Sequence, residues 1–433
     1  MKRLLATFSL CLAALPACTT LPRVASTEST RTYEIRNGKW FTGSGFVDRT
    51  WYTRDGVFAS SRPSRIDSVI DLHGQYVVPP FAEAHNHWLE PKAIDAYLQA
   101  YLRDGVFYLK DMSNAPVIRV LLDSALNKPT SVDFISPNQG FTGPGGHPLQ
   151  IARQFLAFGS FPPNWTDGDL AGNVVNIVDS PADIDRAWPG FISGHPAFVK
   201  VFLLYSEQYE RRKNDSAFLY KRGLNPALLA QIVGLAHARG LRVSAHVYTA
   251  ADFHNALIAG VDDIGHMPGA GYDSVLGYRA FRIAPADAEL AGRRHVSMTT
   301  TIIWLDDYEG VPRQRLIDSV VRPNLELLRA NRVPILLGSD EFRGTPLHEA
   351  KILASLGVFS NLELLNIWSH DTPQAIFPRR KIGSLADGYE ASFLVLGTDP
   401  TADFGGVERI TMRMKQGHVL PAPRAVPFPA LGQ

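Results

Sequence analysis

Eight short apolar runs recur along the middle of this 433-residue chain, and helical patterns lie between several of them. They fall at 76–80, 106–110, 132–136, 198–203, 242–246, 262–266, 296–301 and 334–338. Runs this short and this continuously apolar read as strands buried on both faces, the habit of parallel sheets. The helical segments carry their own punctuation. In "NPALLAQIVGLAHARG", Asn225 is placed to cap, Pro226 to open the first turn, and Gly240 to stop the helix. Leu228, Ile232 and Leu235 share one face of it. "AADFHNALIAG" repeats the scheme and ends at Gly260. The expected fold class is therefore α/β: a (β/α)8 TIM barrel, whose site would lie at the C-terminal ends of the strands.

Both ends of the chain differ from the middle. Residues 32–75 and 376–425 show short alternating strands with turns such as "RNGK" and "TGSG". They are expected to form one small β-sandwich module, leaving 76–375 to the barrel. The Gly-, Pro- and Asn-rich stretch from about 140 to 196 reads as an elaborated loop over the barrel mouth. At the start, "MKRLLATFSLCLAALPACTT" places Lys2 and Arg3 before a short apolar stretch. That order fits an export signal over residues 1–17, too short to span a bilayer. "LPAC" resembles a lipobox, which makes Cys18 the expected lipidation site and 18–31 a Ser/Thr-rich tether. Pro16 leaves an ordinary signal-peptidase cut open. The expected address is exported, periplasmic or cell-envelope, with the membrane as a partner through the anchor at Cys18. A homo-oligomer is compatible with the sequence.

Composition removes other classes. A formal net charge of +1 without a long basic block argues against nucleic acid as a partner. The only two cysteines, Cys11 and Cys18, both lie in the first 18 residues, so a cysteine metal site or thiol chemistry is excluded. Histidine, carboxylate and lysine remain. In "AEAHNHW", His85 and His87 are two apart and in extended backbone point the same way. His246 in "VSAHVYTA", His266 in "VDDIGHMPG" and Asp340 in "ILLGSDEF" each close an apolar run. Any one of these alone reads as a satisfied core histidine or a capping aspartate. Together, at the tips of separate strands, they form a donor set suited to Zn²⁺ and related ions. Lys200 lies inside "AFVKVFLLYS", where a free ammonium is costly. Burial lowers a lysine pKa by roughly 3–5 units. A neutral amine there can take up CO2 and become an anionic carbamate.

These stretches resemble, in order, the metal-binding motifs of the amidohydrolase superfamily. The resemblance rests on "VVPPFAEAHNH", Lys200, "AHVY", "GVDDIGH" and "LLGSD", with "KIGSLADGYEASFLVLGTDP" similar to that family's return strand. "DGVFYLKDMSN" and "TGPGGHP" look like motifs of its imidazolonepropionase-like and prolidase-like branch. The resemblance implies a barrel with a β-sandwich and two divalent metal ions, Zn being expected. His85 and His87 would hold the more buried ion and Lys200, as carbamate, would bridge. His246 and His266 would hold the second ion, and Asp340 would contact the first. There are departures: Pro79-Pro80 for Pro-Gly, Glu83 for Asp, Gly265 where Glu is common, and Lys110 for Arg.

The reaction expected from these parts is hydrolysis of an amide, in a small-molecule amide, dipeptide or N-acyl amino acid substrate. A metal-bridging hydroxide would attack, and Asp340 would take its proton and deliver it to the leaving amine. His147 is a candidate oxyanion donor, Tyr248 a candidate assistant on the same side as His246, and Arg343 a candidate grip for a substrate carboxylate. A cyclic amidase or lactonase on the same site is the alternative enzyme. A non-catalytic metal-binding surface lipoprotein is the alternative from another class. The remaining histidines, His237 and His254 among them, have no recognisable ligand context.

Overall fold

The computed structural model of the chain describes residues 30–87 and 89–430. The signal segment, Cys18 and the tether as far as residue 29 lie outside the described residues. The fold is α/β with two all-parallel sheets at its centre. The larger has seven strands in the order Val175–Ile177, Gly140–Thr142, Val199–Phe202, Val243–His246, Asp263–Ile264, Ser297–Thr299 and Ile335–Leu336. The smaller holds Phe81–Asn86, Val106–Asp111 and Asp133–Ile135. Backbone hydrogen bonds link the two. At one junction, Ala84 N–H donates to Leu337 O at 3.0 Å and Asp340 N–H to His85 O at 2.7 Å. At the other, Asn114 N–H donates to Asn138 O and Ala197 N–H to Ser136 O, both at 2.9 Å.

Two sequence expectations are corrected. The run 76–80 is not the strand that leads to the histidine pair. Tyr76–Val78 pairs with the terminal sheet, and the double proline separates it from Phe81–Asn86, a strand of its own that contains His85. Proline cannot donate to a ladder, so Pro79-Pro80 breaks one strand into two. The stretch 140–196 is also more than a loop. It supplies two of the seven parallel strands and helices at Leu149–Ala157 and Pro181–Ser193. Phe141 packs on Trp188 and Phe191 of the second of these helices, so apolar contacts order a segment rich in turn residues.

Register decides which side chains face each other. Lys200 lies level with Gly140 and Ser244, and Phe202 with His246. Successive strand residues alternate in direction, so Lys200, Phe202, Ser244, His246 and Asp263 share one face. Val199 and Val201 take the other face, in the main apolar core. The helix after Asn225 starts as expected: the Asn225 side chain accepts from Ala227 N–H at 3.0 Å. Leu228 and Ile232 are buried, and Gly240 takes a φ of +67°. Thr249 and Asp252 form a reciprocal capping box on the helix Ala250–Ala259.

Segments from both ends of the described chain enter one mixed eight-stranded sheet, in which Phe393–Leu396 pairs with Tyr76–Val78, Ile410–Lys415 with Phe393–Leu396, and His418–Val419 with Ile410–Lys415. A separate aromatic cluster of Trp40, Trp51, Phe58 and Phe393 fills one side of it. Among the described residues, no helix is long and apolar enough to cross a membrane. Lys415, fully buried, ties this sheet to the parallel strands. Its Nζ donates to Asp133 Oδ1 at 2.6 Å and to the carbonyls of Ser131 and Lys128 at 2.7 and 2.8 Å. Arg380 lies 2.7 Å from the other Asp133 oxygen. Removing one partner of a buried charge pair costs about 3–5 kcal/mol. Lys415→Met is therefore expected to lower the urea midpoint by the equivalent of about 3 kcal/mol at unchanged slope, the low end because Arg380 still serves Asp133. A loss below about 1 kcal/mol, the value of an exposed pair, would contradict the tie.

Candidate active site

The site forms where the shared face of the parallel strands reaches their C-terminal ends. His85 ends up there because Phe81–Asn86 runs parallel to Val106–Asp111, and His87 follows one extended step later. Their Nε2 atoms are 3.0 Å apart. His266 and His246 come from neighbouring strands, with ring centroids 4.3 Å apart, and His85 and His266 are also 4.3 Å apart. Asp340 closes the group. Its Oδ1 lies 3.1 Å from His87 Nε2 and 3.7 Å from His85 Nε2, and its Oδ2 lies 3.9 Å from His266 Nε2. Lys200 reaches the same place: a Cβ built on Gly265 would sit 3.0 Å from both Lys200 Nζ and the His85 ring. Gly265, a departure noted in the sequence, is thus the residue that leaves room for both.

These side chains are buried and short of partners. His85 and Lys200 are fully buried, and His246 and His266 nearly so. Lys200 Nζ, His246 Nε2, His266 Nε2 and His85 Nδ1 have no hydrogen-bond partner among the described residues. Buried polar atoms are nearly always satisfied, so this many orphans in one place mark a binding site. Burial sets their ionisation as well. It pushes the Lys200 amine down to about 7, with nearby Asp340 working the other way. It holds His266 and His147 near 3, and His85 and His246 well below the usual range. Burial would raise the Asp340 carboxyl, but His87, His266 and Lys200 hold it low. Neutral imidazoles and an ionised carboxylate are the forms that bind divalent cations. His85, His266 and Asp340 offer ligand atoms all within 4.8 Å of one another.

Other sequence candidates divide. His147 joins the group: its ring stacks on His246 at 4.6 Å, in a loop anchored by His147 N–H to Arg222 O at 2.9 Å. Tyr248 also joins, 4.8 Å from the His246 ring and 6.1 Å from His147. Burial holds its hydroxyl well above the usual range, so it stays protonated. Arg343 is engaged elsewhere. Its Nε and Nη2 donate to Glu90 Oε2 at 2.9 and 2.6 Å, and its Nη1 to Pro429 O at 2.6 Å. His237 and His254 pair with Asp262 and Asp287, away from the cluster.

The supporting roles of Glu83, Thr301 and Asp263 were not part of the sequence expectations. Glu83 accepts from His85 N–H at 2.8 Å and from Ser339 N–H and Oγ–H at 3.0 and 2.7 Å, bracing the strand of His85 against that of Asp340. Thr301 Oγ1 lies 2.8 Å from His266 Nδ1 and so turns the other ring nitrogen inward. Beneath Lys200, Lys110 bonds Asp263, which also accepts from Ser244 Oγ at 2.6 Å and Ser297 Oγ at 3.0 Å. The spacing of Glu83 to His85 was a usable signal; Thr301 and Asp263 carry none without the register.

Residues 221–420 match the model of the amidohydrolase family. An uncharacterized protein of Mycobacterium tuberculosis is 38% identical over 88 residues, 18% of this chain. The matched part spans 14% of that relative's length. Solved structures share the fold at low identity. Ochratoxinase of A. niger superposes with a TM-score of 0.69 at 18% identity, covering 90% of this chain and 96% of that one. A Xaa-Pro dipeptidase gives 0.65 at 16%, covering 90% and 99%. Phenylurea hydrolase B gives 0.66 at 18%, covering 93% and 99%.

Outer hydrogen bonds to metal-ligating histidines change metal affinity by roughly 10–100-fold when removed. Thr301→Val is therefore expected to weaken divalent-metal retention about tenfold in a chelator competition, with the fold unchanged by circular dichroism. Equal retention would mean that Thr301 does not orient His266.

Proposed function

We propose that this chain, whose residues 221–420 match the amidohydrolase family model, is a hydrolase of carbon–nitrogen bonds, and more narrowly a metal-dependent amidase acting on dipeptides or N-acyl amino acids. One observation carries the reading: the fully buried Lys200 amine, without a partner, beside four imidazoles and Asp340. The donor set fits two divalent ions, with Zn²⁺ expected. His85, His87 and Asp340 would hold one, His246 and His266 the other, and Lys200 as carbamate would join them. Bound there, such ions supply Lewis acidity and an acidified water.

The chain's own groups do the rest. Asp340, whose carboxyl His87, His266 and Lys200 hold low, accepts the proton of the attacking water. It returns that proton to the amine nitrogen as the carbon–nitrogen bond breaks. His147, neutral at pH 7, donates one N–H to the carbonyl oxygen as that oxygen gains charge. Tyr248 keeps its proton and presents a second donor on the same side. The neighbour named as a Xaa-Pro dipeptidase supports a peptide-like bond as the target.

The same reading has eight of the ten parallel strands, beginning at Phe81–Asn86, as one closed (β/α)8 barrel, supported by hydrogen bonds at both junctions. Its small module then takes in Tyr76–Val78 beside the N- and C-terminal segments. The reading also keeps the chain exported and anchored at Cys18, supported by the sequence of residues 1–18 alone.

Metal analysis should find about two divalent ions per chain; none would remove the mechanism. Lys200→Ala is expected to lose metal and to regain part of its activity with added short carboxylic acids, which replace the missing anion. Metal content that stays at the wild-type level would rule out the bridge. Asp340→Asn should drop kcat by about 100-fold or more, the scale of a lost proton transfer, and full activity would reassign the shuttle.

A further inference from the structure

A second cavity lies outside the metal cluster, beneath the C-terminal segment. It has a volume of about 640 Å³, within the range of small-ligand pockets. One wall is the helix Ile94–Arg103, another the helix Leu347–Leu356, and a third the loop after Asp340. Residues 424–428 close it from outside. That segment is fastened by Arg424 N–H to Gln99 Oε1 at 2.8 Å, by the Arg343 bond to Pro429 O, and by Phe428 packed edge-on against Tyr97 at 4.8 Å.

The lining has two characters. Leu347, Ile352, Val426 and Phe428 supply an apolar body. Arg103, Arg343, Lys351 and Arg424 supply four cations against the single carboxylate of Glu341. Arg103 is held by two hydrogen bonds to Asp104, whose side chain is buried, whereas Lys351 with Glu408 and Arg424 with Asp95 form exposed pairs. Such pairs contribute about 0.2–1 kcal/mol each, so an incoming anion can replace them at little cost. Arg343 is different, being fixed by Glu90 at the back.

We propose that this cavity is a binding site for a small amphipathic anion, a monocarboxylate carrying an apolar chain of medium length. The chain lies along Leu347, Ile352 and Phe428, and the carboxylate takes Lys351 at the rim. The site is separate from the metal cluster and does not depend on the proposed reaction.

The test uses the full chain and octanoate, followed by titration calorimetry, with octanol and acetate as controls for the apolar body and the charge alone. Octanoate should bind saturably, octanol at least tenfold more weakly, and acetate without saturation. Lys351→Ala should weaken octanoate about tenfold, and Ser355→Trp, on the exposed rim of the same helix, should fill the cavity and abolish binding. Both variants are checked for an unchanged thermal midpoint. Absence of octanoate binding, or equal binding by both folded variants, overturns the proposal. Loss of binding when residues 421–433 are deleted would support it, and unchanged binding would count against the segment as a wall.

Discussion

A lysine with its head buried and unpartnered is the constraint around which the centre of this protein is arranged. Lys200 points to the shared face because its strand is in register with Gly140 on one side and Ser244 on the other. No hydrogen-bond partner among the described residues meets its amine, and the space it needs comes from what is missing. A Cβ on Gly265 would press on its nitrogen, and one on Gly140 would lie 3.3 Å from its Cγ and 2.4 Å from the Phe202 ring. Small residues on both flanks therefore hold open a volume that a usual core would fill. Burial pushes the amine down to about 7, so near neutral pH a large share of it is a neutral nucleophile instead of a buried cation.

The layer beneath shows the ordinary solution to the same problem. Lys110 is also buried, yet it is bonded to Asp263, and that carboxylate is fully satisfied by Ser244 and Ser297. Opposite charge then outweighs burial at Asp263, which is held down at about 2. Two buried lysines on neighbouring levels thus have opposite fates. The lower one is neutralised by its own chain and makes a stable floor. The upper one is left for something the chain does not supply. That contrast separates a structural charge from a binding one more sharply than burial does.

The sequence disclosed the clustered histidines and Asp340 because a polar residue that ends an apolar stretch is visible without coordinates. Lys200 was visible for the opposite reason, because it interrupts one. Most strands of the parallel sheets were visible too, since both faces are covered and the runs are continuous. Contacts made across the sheet were not visible. Pro79-Pro80 looked like the end of one strand and is the border between two sheets. Phe141 looked like part of a turn-rich loop, yet its ring packs on Trp188 and Phe191 and secures a strand. Arg343 stood near Asp340 in the chain and suggested substrate, but its three donor nitrogens are occupied by Glu90 and the C-terminal segment.

Asp340 shows how such distant contacts reach the chemistry. Its φ of +59° lies in the left-handed region, which costs of order 1–3 kcal/mol for a residue other than glycine. The conformation persists because neighbours on both sides over-determine it. Its N–H is held by His85 O, Ser339 before it is held twice by Glu83, and the carbonyl of Glu341 after it accepts from Asn86 at 3.0 Å. All three fixings come from the strand that carries the histidine pair. The carboxylate and the imidazoles it faces are therefore set by one rigid unit, and two residues further on the same loop turns outward to Glu90 and the C-terminal segment. A shift of that segment has a short path, through the Arg343 bond to Pro429 O and three residues of chain, to Asp340, the acid proposed to move a proton, whereas the histidines are fixed by strand register.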